Sequence, residues 1–294
     1  MGVLNVTPDS FSDGGRWFDR DRAVARGREM LAEGADIVDV GGESSRPGAH
    51  PVPEAEELRR VLPVIERLAP LGRVSVDTRK ASVARAALRA GATIINDTTG
   101  DLWPVAAECG AGWLGMHCPA EPAVMARHAH YSDVVAEVTD ALVERAERAS
   151  AAGVAELWID PGIGFAKTAA HNLTILRHLD LLVATGWPVA VGTSRKSFLG
   201  SLLPGANGEP AAVGDRLEGS LATAAWSVVR GAAMVRVHDV APTVMTVRLA
   251  GAGGSAGAGW RAGGGRSAGG RSSGGRSSGG RSSARREGGE GASA

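Results

Sequence analysis

The sequence is poor in cysteine, in lysine and in long apolar runs. Its 294 residues include two cysteines, too few for a disulfide framework, and Cys109 and Cys118 lack the spacing of a metal-binding motif. No apolar run approaches the ~20 residues of a membrane span, and the first residues lack the charged-then-apolar pattern of a secretory signal. These features predict a cytoplasmic protein with no membrane partner.

Charge is balanced overall but unevenly distributed along the chain. The 32 basic and 32 acidic residues give a formal net charge of zero, so nucleic acid is not an expected partner. From residue 251 the chain is almost entirely Gly, Ser, Ala and Arg, with seven arginines against two glutamates. Such a segment has too few apolar side chains to offset the entropy cost of ordering its backbone. We expect a folded body over residues 1–250 and a disordered tail over residues 251–294.

Short apolar runs alternate with helical patterns along the body. Eight runs are typical of strands buried on both faces: Gly2–Val6, Asp36–Val40, Val74–Asp77, Thr93–Asn96, Trp113–Met116, Leu157–Asp160, Pro188–Gly192 and Met234–Val237. Segments with helical periodicity lie between them: Arg22–Ala32, Glu54–Leu68, Ser82–Arg89, Val134–Ala149, Leu173–Val183, Leu217–Arg230 and Thr243–Leu249. Trp103–Cys109 is either a short helix or a turn, and Pro204–Pro210 is a predicted loop. Eight such units favour an α/β fold of the (β/α)₈ TIM-barrel type over an open doubly wound sheet.

Polar residues follow nearly every predicted strand, and in a barrel these positions converge at one rim, where the chemistry sits. A single Asp or Asn there is often only a cap or turn former, as Asp97 and Asp239 could be. Arg195 could be a solvated surface cation, and Asp36 and Asp39, inside the second strand, are expected to be structural. Capping does not explain why so many polar groups end at one rim: Asn5, Ser45, Arg46, Asp77, Asn96, His117, Asp160, Lys196, Ser197, Arg236 and His238.

These residue types suit a planar nitrogen heterocycle that carries a pyrophosphate. Asp77, Asn96 and Asp160 offer acceptors to an N–H and amino edge, which a carboxylate binds through two parallel hydrogen bonds. Cations and hydroxyls suited to phosphate come from five residues: Ser45, Arg46, Lys196, Arg236 and His238. Asn5 is an oxygen ligand that could hold Mg²⁺ together with phosphate oxygens and water.

Ordered motifs of the body resemble those of the dihydropteroate synthases. The opening MGVLNVTPDSFSDGG (residues 1–15) and the segment DVGGESSRPG (residues 39–48) are similar to the first two loops of that family. The resemblance continues through VDT at 76–78, IND at 95–97, MH at 116–117, DPGIGF at 160–165, SRKS at 194–197 and RVHD at 236–239. It covers residues 1 to about 250 in the order that the family shows.

The resemblance implies condensation of 6-hydroxymethyl-7,8-dihydropterin pyrophosphate with p-aminobenzoate, through a pterin carbocation, with release of pyrophosphate and formation of 7,8-dihydropteroate. It further implies a homodimer with Mg²⁺ on Asn5, and catalytic roles for Asp9, Asp77 and Lys196. The pterin pyrophosphate positions would be Ser45, Arg46, Asp77, Asn96, Met116, Asp160, Phe165, Lys196, Arg236 and His238. Phe11, Pro47 and Ser197 match the p-aminobenzoate site, where sulfonamides compete.

Some positions depart from the family pattern, and two other interpretations stay open. Ser45 replaces a common Thr, and Ala166 replaces a common Gly. The first alternative is a pterin-binding methyltransferase domain that serves a corrinoid protein; it would share the pterin-reading Asp and Asn residues but needs no pyrophosphate site. The second is a catalytically silent paralogue, or a binding protein that acts through its Arg-rich tail, which could contact RNA phosphates.

Overall fold

The structure is a computed structural model, and it describes residues 1–7, 20–44, 48–120, 124–204 and 208–252. Eight strands occur in chain order: β1 Gly2–Asn5, β2 Ile37–Gly41, β3 Arg73–Asp77, β4 Ile94–Asp97, β5 Gly112–Met116, β6 Leu157–Asp160, β7 Ala190–Val191 and β8 Met234–Val235. All eight coincide with predicted strands. The predicted segment 251–294 lies outside the described residues except for its first two.

Ten α-helices lie between and after these strands in the described ranges: α1 Arg20–Ala32, α2 Glu54–Leu68, α3 Ala81–Arg89, α4 Trp103–Cys109, α5 Val134–Ala151, α6 Ala169–Arg177, α7 Leu179–Val183, α8 Ser197–Leu202, α9 Leu217–Val229 and α10 Val240–Ala252. None of them is long and apolar enough to cross a membrane. The fourth connection, left open between helix and turn, is the helix α4. The last helix ends two residues beyond the predicted body boundary of residue 250.

The strands close into a parallel barrel, as predicted. Strands β1 to β6 pair in sequence order, and β7 pairs with β8. A parallel bridge between Ile159 and Val189 joins β6 to β7, and one between Gly2 and Val237 joins the end of β8 to β1. The amide of Val3 donates to the carbonyl of Val237 over 2.8 Å, so backbone hydrogen bonds complete the ring. The fold is the (β/α)₈ TIM barrel.

One helix prediction was wrong in detail, and one helix was not predicted. The segment Leu173–Val183 was predicted as one helix, but α6 and α7 meet at His178, whose φ and ψ of −107° and 27° are not helical. The helix α8 starts at Ser197, in a segment for which no helix was predicted. Six residues are too few to show a helical period, and Gly200 in its interior has low helix propensity.

The helices pack an apolar face against the strands, which fixes the barrel and its loops. Helix α5 shows the arrangement: Val138 and Leu142 are buried, and Asp133 caps its first turn. The Asp133 carboxylate accepts hydrogen bonds from the amides of Val135 and Ala136, at 3.0 and 3.1 Å. Such a cap stabilises a helix by about 1 kcal/mol. Rigid units of this kind hold the carboxyl ends of the strands in place.

Candidate active site

The inward side chains of the barrel change from apolar to polar toward the carboxyl ends of the strands. One buried apolar layer consists of Met1, Ile37, Ile94, Leu114, Trp158 and Ala190. Because side chains alternate along a strand, residues two positions further on face the same way. That next layer contains Val3, Asp39, Asn96, Met116, Asp160 and Gly192, together with Arg236, which lies two positions after Met234. We call this second layer the polar floor of the site; it lies directly above the apolar layer that fills the barrel.

Arg236 lies at the centre of this floor and binds two carboxylates. Its Nε donates to Asp39 Oδ2 over 2.7 Å, and its Nη2 donates to Asp77 Oδ2 over 2.6 Å. Asp39 Oδ2 also accepts from Asn96 Nδ2 over 2.8 Å. Three of the predicted site residues, from β3, β4 and the end of β8, are thus joined in one hydrogen-bonded cluster.

The cluster holds more negative than positive charge, in a place shielded from water. Burial raises the pKa of Asp77 to about 7; Arg236 opposes this rise, whereas Asp39 adds to it. The two carboxylates keep the pKa of Arg236 above its ordinary value despite burial, so this guanidinium stays charged. A buried anion in excess of its counter-ion favours a ligand that brings positive charge or N–H donors.

Asp160 presents a second carboxylate at the end of β6. It is 4 % exposed, and its Oδ1 accepts from the amide of Gly162 over 2.7 Å. Gly162 has a φ of 66°, and a Cβ there would lie 2.1 Å from the carbonyl oxygen of His117, so only glycine fits this turn. Burial raises the pKa of Asp160, and Lys196 opposes that rise. Met116 lies beside Asp160 in the strand register, as an apolar neighbour.

Lys196 lies close to Asp160 and also to the cluster of Arg236 and Asp77. Its Nζ donates to the carbonyl oxygen of Ile163 and lies 4.7 Å from the centre of the Phe165 ring. A Cβ added at Gly192 would be 3.8 Å from Lys196 Nζ and 3.7 Å from the Cβ of Arg236, so the two cations flank that glycine. Burial lowers the pKa of Lys196 to about 8, and Asp160 opposes the change.

The remaining predicted residues are at the rim or outside the described ranges. His238 is half-buried and its Nδ1 is 3.0 Å from Ser194 Oγ. Asn5 ends β1 and pairs with Gly41, which in turn pairs with Asp77. Ser197 is exposed at the first position of α8. The predicted positions that fall outside the described residues are Asp9, Phe11, Ser45, Arg46 and Pro47.

Asp97 and Asp239 were considered as caps, and the structure gives them different roles. Asp97 holds the turn between β4 and α4, where its carboxylate accepts from the amides of Thr99 and Leu102, at 2.9 and 2.6 Å; the N-cap residue of α4 is Leu102. Asp239 is paired with Arg195, whose Nε donates to its Oδ2 over 2.9 Å. Arg195 is therefore a salt-bridge partner of Asp239 at the surface, with 39 % of its side chain exposed, and its φ of 59° turns the chain just before Lys196.

Three features of the candidate site were not recognised from the sequence. Asp39 was expected to be structural, and its hydrogen bonds from Arg236 and Asn96, which join it to the predicted site residues, were not predicted. Lys167 Nζ lies 3.0 Å from His117 Nδ1 and also donates to the carbonyl of Phe165 over 3.1 Å, so it ties the β6 loop to β5. Lys80 bridges the carboxylates of Glu43 and Glu57 beside the second loop. The signal that could have revealed Asp39 is its place two residues after Ile37, in register with the polar layer.

No cluster of three or more His, Cys, Asp or Glu side chains that could hold a metal ion occurs within the described ranges. The oxygen donor at the rim, the Asn5 amide at the end of β1, fits a hard cation that takes most of its oxygen ligands from substrate and water.

Fold and site together define a class, that of the (β/α)₈-barrel enzymes that bind a polar ligand at the carboxyl ends of the strands. A family model described as pterin binding enzyme matches residues 1–238. A dihydropteroate synthase of Mycobacterium leprae is 49 % identical over 86 % of this chain and 92 % of its own length. The Xanthomonas albilineans dihydropteroate synthase has been solved with 4-aminobenzoic acid (45 % identity, TM-score 0.78) and with 7,8-dihydropteroate (TM-score 0.75), each match covering 85 % of this chain and 90 % of that one.

The chain belongs to the dihydropteroate synthase family of pterin-binding transferases.

Proposed function

We propose that this chain condenses 6-hydroxymethyl-7,8-dihydropterin pyrophosphate with p-aminobenzoate to give 7,8-dihydropteroate and pyrophosphate. The observation that carries the proposal is the polar floor, which contains the buried Asn96 and Asp160 together with Arg236. Asp77 is hydrogen-bonded to Arg236, and Lys196 lies beside both. A related Xanthomonas enzyme of this family holds 4-aminobenzoic acid in one structure and 7,8-dihydropteroate in another. The floor residues and the family membership support the same reaction.

The pterin ring is the part of the substrate that suits the floor. Asp160 keeps one carboxylate oxygen beyond the one that accepts from Gly162, and Asn96 and Asp77 contribute further acceptors. Donors on the ring and its amino group match these acceptors, and a buried charge-assisted hydrogen bond contributes about 1.5–3 kcal/mol. Met116 and Phe165 supply apolar surface at the edge of the ring. The match is one of charge and of hydrogen-bond polarity.

The pyrophosphate is proposed to lie toward the rim, where His238 follows β8 and Asn5 ends β1. Ser45 and Arg46 on the second loop would add a hydroxyl and a cation there. Asn5 would hold Mg²⁺, which when bound supplies positive charge to the departing pyrophosphate. Arg236 adds to that positive charge from the floor, because its guanidinium stays protonated.

The proposed reaction breaks the C–O bond to pyrophosphate before the new C–N bond forms. The bond electrons leave with pyrophosphate, and the pterin is left as a resonance-stabilised cation. Asp77 and Asp160 lie in a water-poor site, where their negative charge stabilises this cation more than it would in water. Asp9 on the first loop is assigned the same role. The amine of p-aminobenzoate, placed by Phe11, Pro47 and Ser197, then attacks and loses a proton.

The test is the release of pyrophosphate by the purified chain, measured together with dihydropteroate. We expect both products in equal amounts, only when p-aminobenzoate and Mg²⁺ are present, and we expect chelation by EDTA to abolish turnover. An Asn5→Ala variant should need more Mg²⁺ for half-maximal rate. Absence of pyrophosphate release at any Mg²⁺ concentration would refute the proposed reaction.

We also propose a homodimer in the cytoplasm. Trp226 and Val229 on α9 are 42 % and 66 % exposed, and Met245 and Leu249 on α10 are 74 % and 79 % exposed. Each pair is spaced so that both side chains lie on one face of its helix, and apolar faces of this kind commonly mark an interface. Light scattering should give twice the mass of the chain, and Val229→Glu should halve it; an unchanged mass would argue against this face.

A further inference from the structure

Asp39 is a carboxylate buried in the middle of β2, and both of its oxygens accept hydrogen bonds. Oδ1 accepts from Ser75 Oγ over 2.6 Å, whereas Oδ2 accepts from Arg236 Nε and Asn96 Nδ2 over 2.7 and 2.8 Å. We propose that Asp39 is a positioning residue, which orients Asn96 and Arg236 for the pterin. This inference rests on the proposed function, in which Asp77 and Asn96 touch the ring.

The amide of Asn96 has two ends of nearly the same shape but opposite polarity. A carboxylate can accept only from the nitrogen end, so the contact with Asp39 decides which way the amide lies. The carbonyl oxygen of Asn96 is consequently turned away from Asp39 and is available as an acceptor. An acceptor at this place is what a ring N–H or amino group requires. Asp39 thus determines the polarity that Asn96 offers.

The guanidinium of Arg236 is fixed in the same way. Asp39 and Asp77 bind neighbouring nitrogens, Nε and Nη2, on one side of the planar group. Two hydrogen bonds to a rigid plane leave it little freedom to rotate. The Nη1 side is therefore turned away from the two carboxylates. Without Asp39 the guanidinium would have one anchor, the Asp77 carboxylate, and that carboxylate is itself a proposed ligand of the substrate.

The charge of Asp39 also acts on Asp77. Arg236 is one cation between two anions, and Lys196 is the further cation near them. Glu57 from α2 and Glu43 from the loop after β2 add negative charge on the same side, and with Asp39 they raise the pKa of Asp77 beyond the effect of burial. Asp160 faces the cluster across the barrel. Removal of the Asp39 charge should therefore lower the pKa of Asp77.

The experiment compares Asp39→Asn with Ser75→Ala in the full chain. Asp39→Asn keeps the shape and an oxygen acceptor, and the Ser75 hydroxyl can turn to accept from the new amide. Two readouts are needed: the dissociation constant of pteroic acid, which is the oxidised form of the proposed product, and the dependence of kcat/KM on pH. Ser75→Ala removes one hydrogen bond to the same carboxylate but leaves its charge and both Oδ2 contacts.

We expect Asp39→Asn to weaken pteroic acid binding by roughly tenfold, since Arg236 and Asn96 would then donate to a neutral amide oxygen in place of a carboxylate. The acidic limb of kcat/KM should move to lower pH, because Asp77 ionises more easily. Ser75→Ala should lower the melting temperature and leave both readouts close to wild type. A folded Asp39→Asn variant with wild-type affinity and an unmoved acidic limb would overturn the inference. If the wild type itself releases no pyrophosphate, the proposed function fails, and the affinities alone still decide the positioning role.

Discussion

The Asp160→Asn substitution tests whether one atom of the polar floor, Oδ2 of Asp160, binds the pterin. In the wild type, Oδ1 of Asp160 accepts from the Gly162 amide over 2.7 Å, which leaves Oδ2 for a ligand. The introduced side chain has the same shape but a single oxygen, and only that oxygen can accept from the Gly162 N–H. The amide nitrogen must then occupy the place of Oδ2. A ligand donor would face a donor, where the wild type offers an anionic acceptor.

The size of the effect follows from the lost contact. A hydrogen bond to a charged group contributes about 1.5–3 kcal/mol when both partners are buried, and Asp160 is 4 % exposed. At about 1.4 kcal/mol for each factor of ten, pteroic acid should bind roughly 10- to 150-fold more weakly. The fold should persist, because the turn hydrogen bond to Gly162 is kept.

Isothermal titration with pteroic acid measures this change, and Asp97→Asn is the matched control. Asp97 also ends a buried strand, but its oxygens are taken by the amides of Thr99 and Leu102 and by Trp113 Nε1. Its substitution should lower the melting temperature and leave the affinity within about twofold of wild type. An Asp160→Asn variant that binds pteroic acid as the wild type does would refute the role given to Asp160.

Three further predictions follow from the same structure. Burial lowers the pKa of Lys196 to about 8, so kcat/KM should fall above that pH; in Lys196→Arg the alkaline fall should disappear, because arginine keeps its charge. Ala166 has a φ of 47°, so Ala166→Gly should raise thermal stability by about 1 kcal/mol; a calorimetric scan with no rise would argue against strain there. Deletion of residues 253–294 should leave kcat and KM unchanged, and a large loss of turnover would show that the tail contributes to catalysis.

The strands of the barrel were predictable because each one is buried on both faces. Residues such as Val74 and Val76 are fully buried, and a strand of this kind appears in the sequence as a short run of Val and Ile between polar segments. Short helices were not predictable in the same way. Helix α8 has six residues. At Gly200 a Cβ would lie 2.7 Å from the carbonyl oxygen of Ala211, so the packing there excludes any side chain. Close packing with a distant segment, and not helical periodicity, places it.

In the candidate site, too, some residues could be predicted from the sequence and others could not. Asp77, Asn96 and Asp160 were identifiable because each ends a predicted strand, and a barrel brings strand ends together. The pairing of Asp39 with Arg236 joins residues that are 197 positions apart, and nothing in the local sequence announces it. A carboxylate inside an apolar strand signals only that a buried partner must exist. The identity of that partner required the fold.

A crystal structure of the chain with pteroic acid would show where the pterin ring binds. We expect the ring on the polar floor, above the layer that contains Ile94 and Trp158. Its N–H and amino edge should lie within about 3.2 Å of an Asp160 oxygen, which is a hydrogen-bond distance, and close to Asn96. A pteroic acid molecule bound elsewhere on the barrel, or one with its amino edge turned away from Asp160 and Asn96, would refute the role of the polar floor in pterin binding.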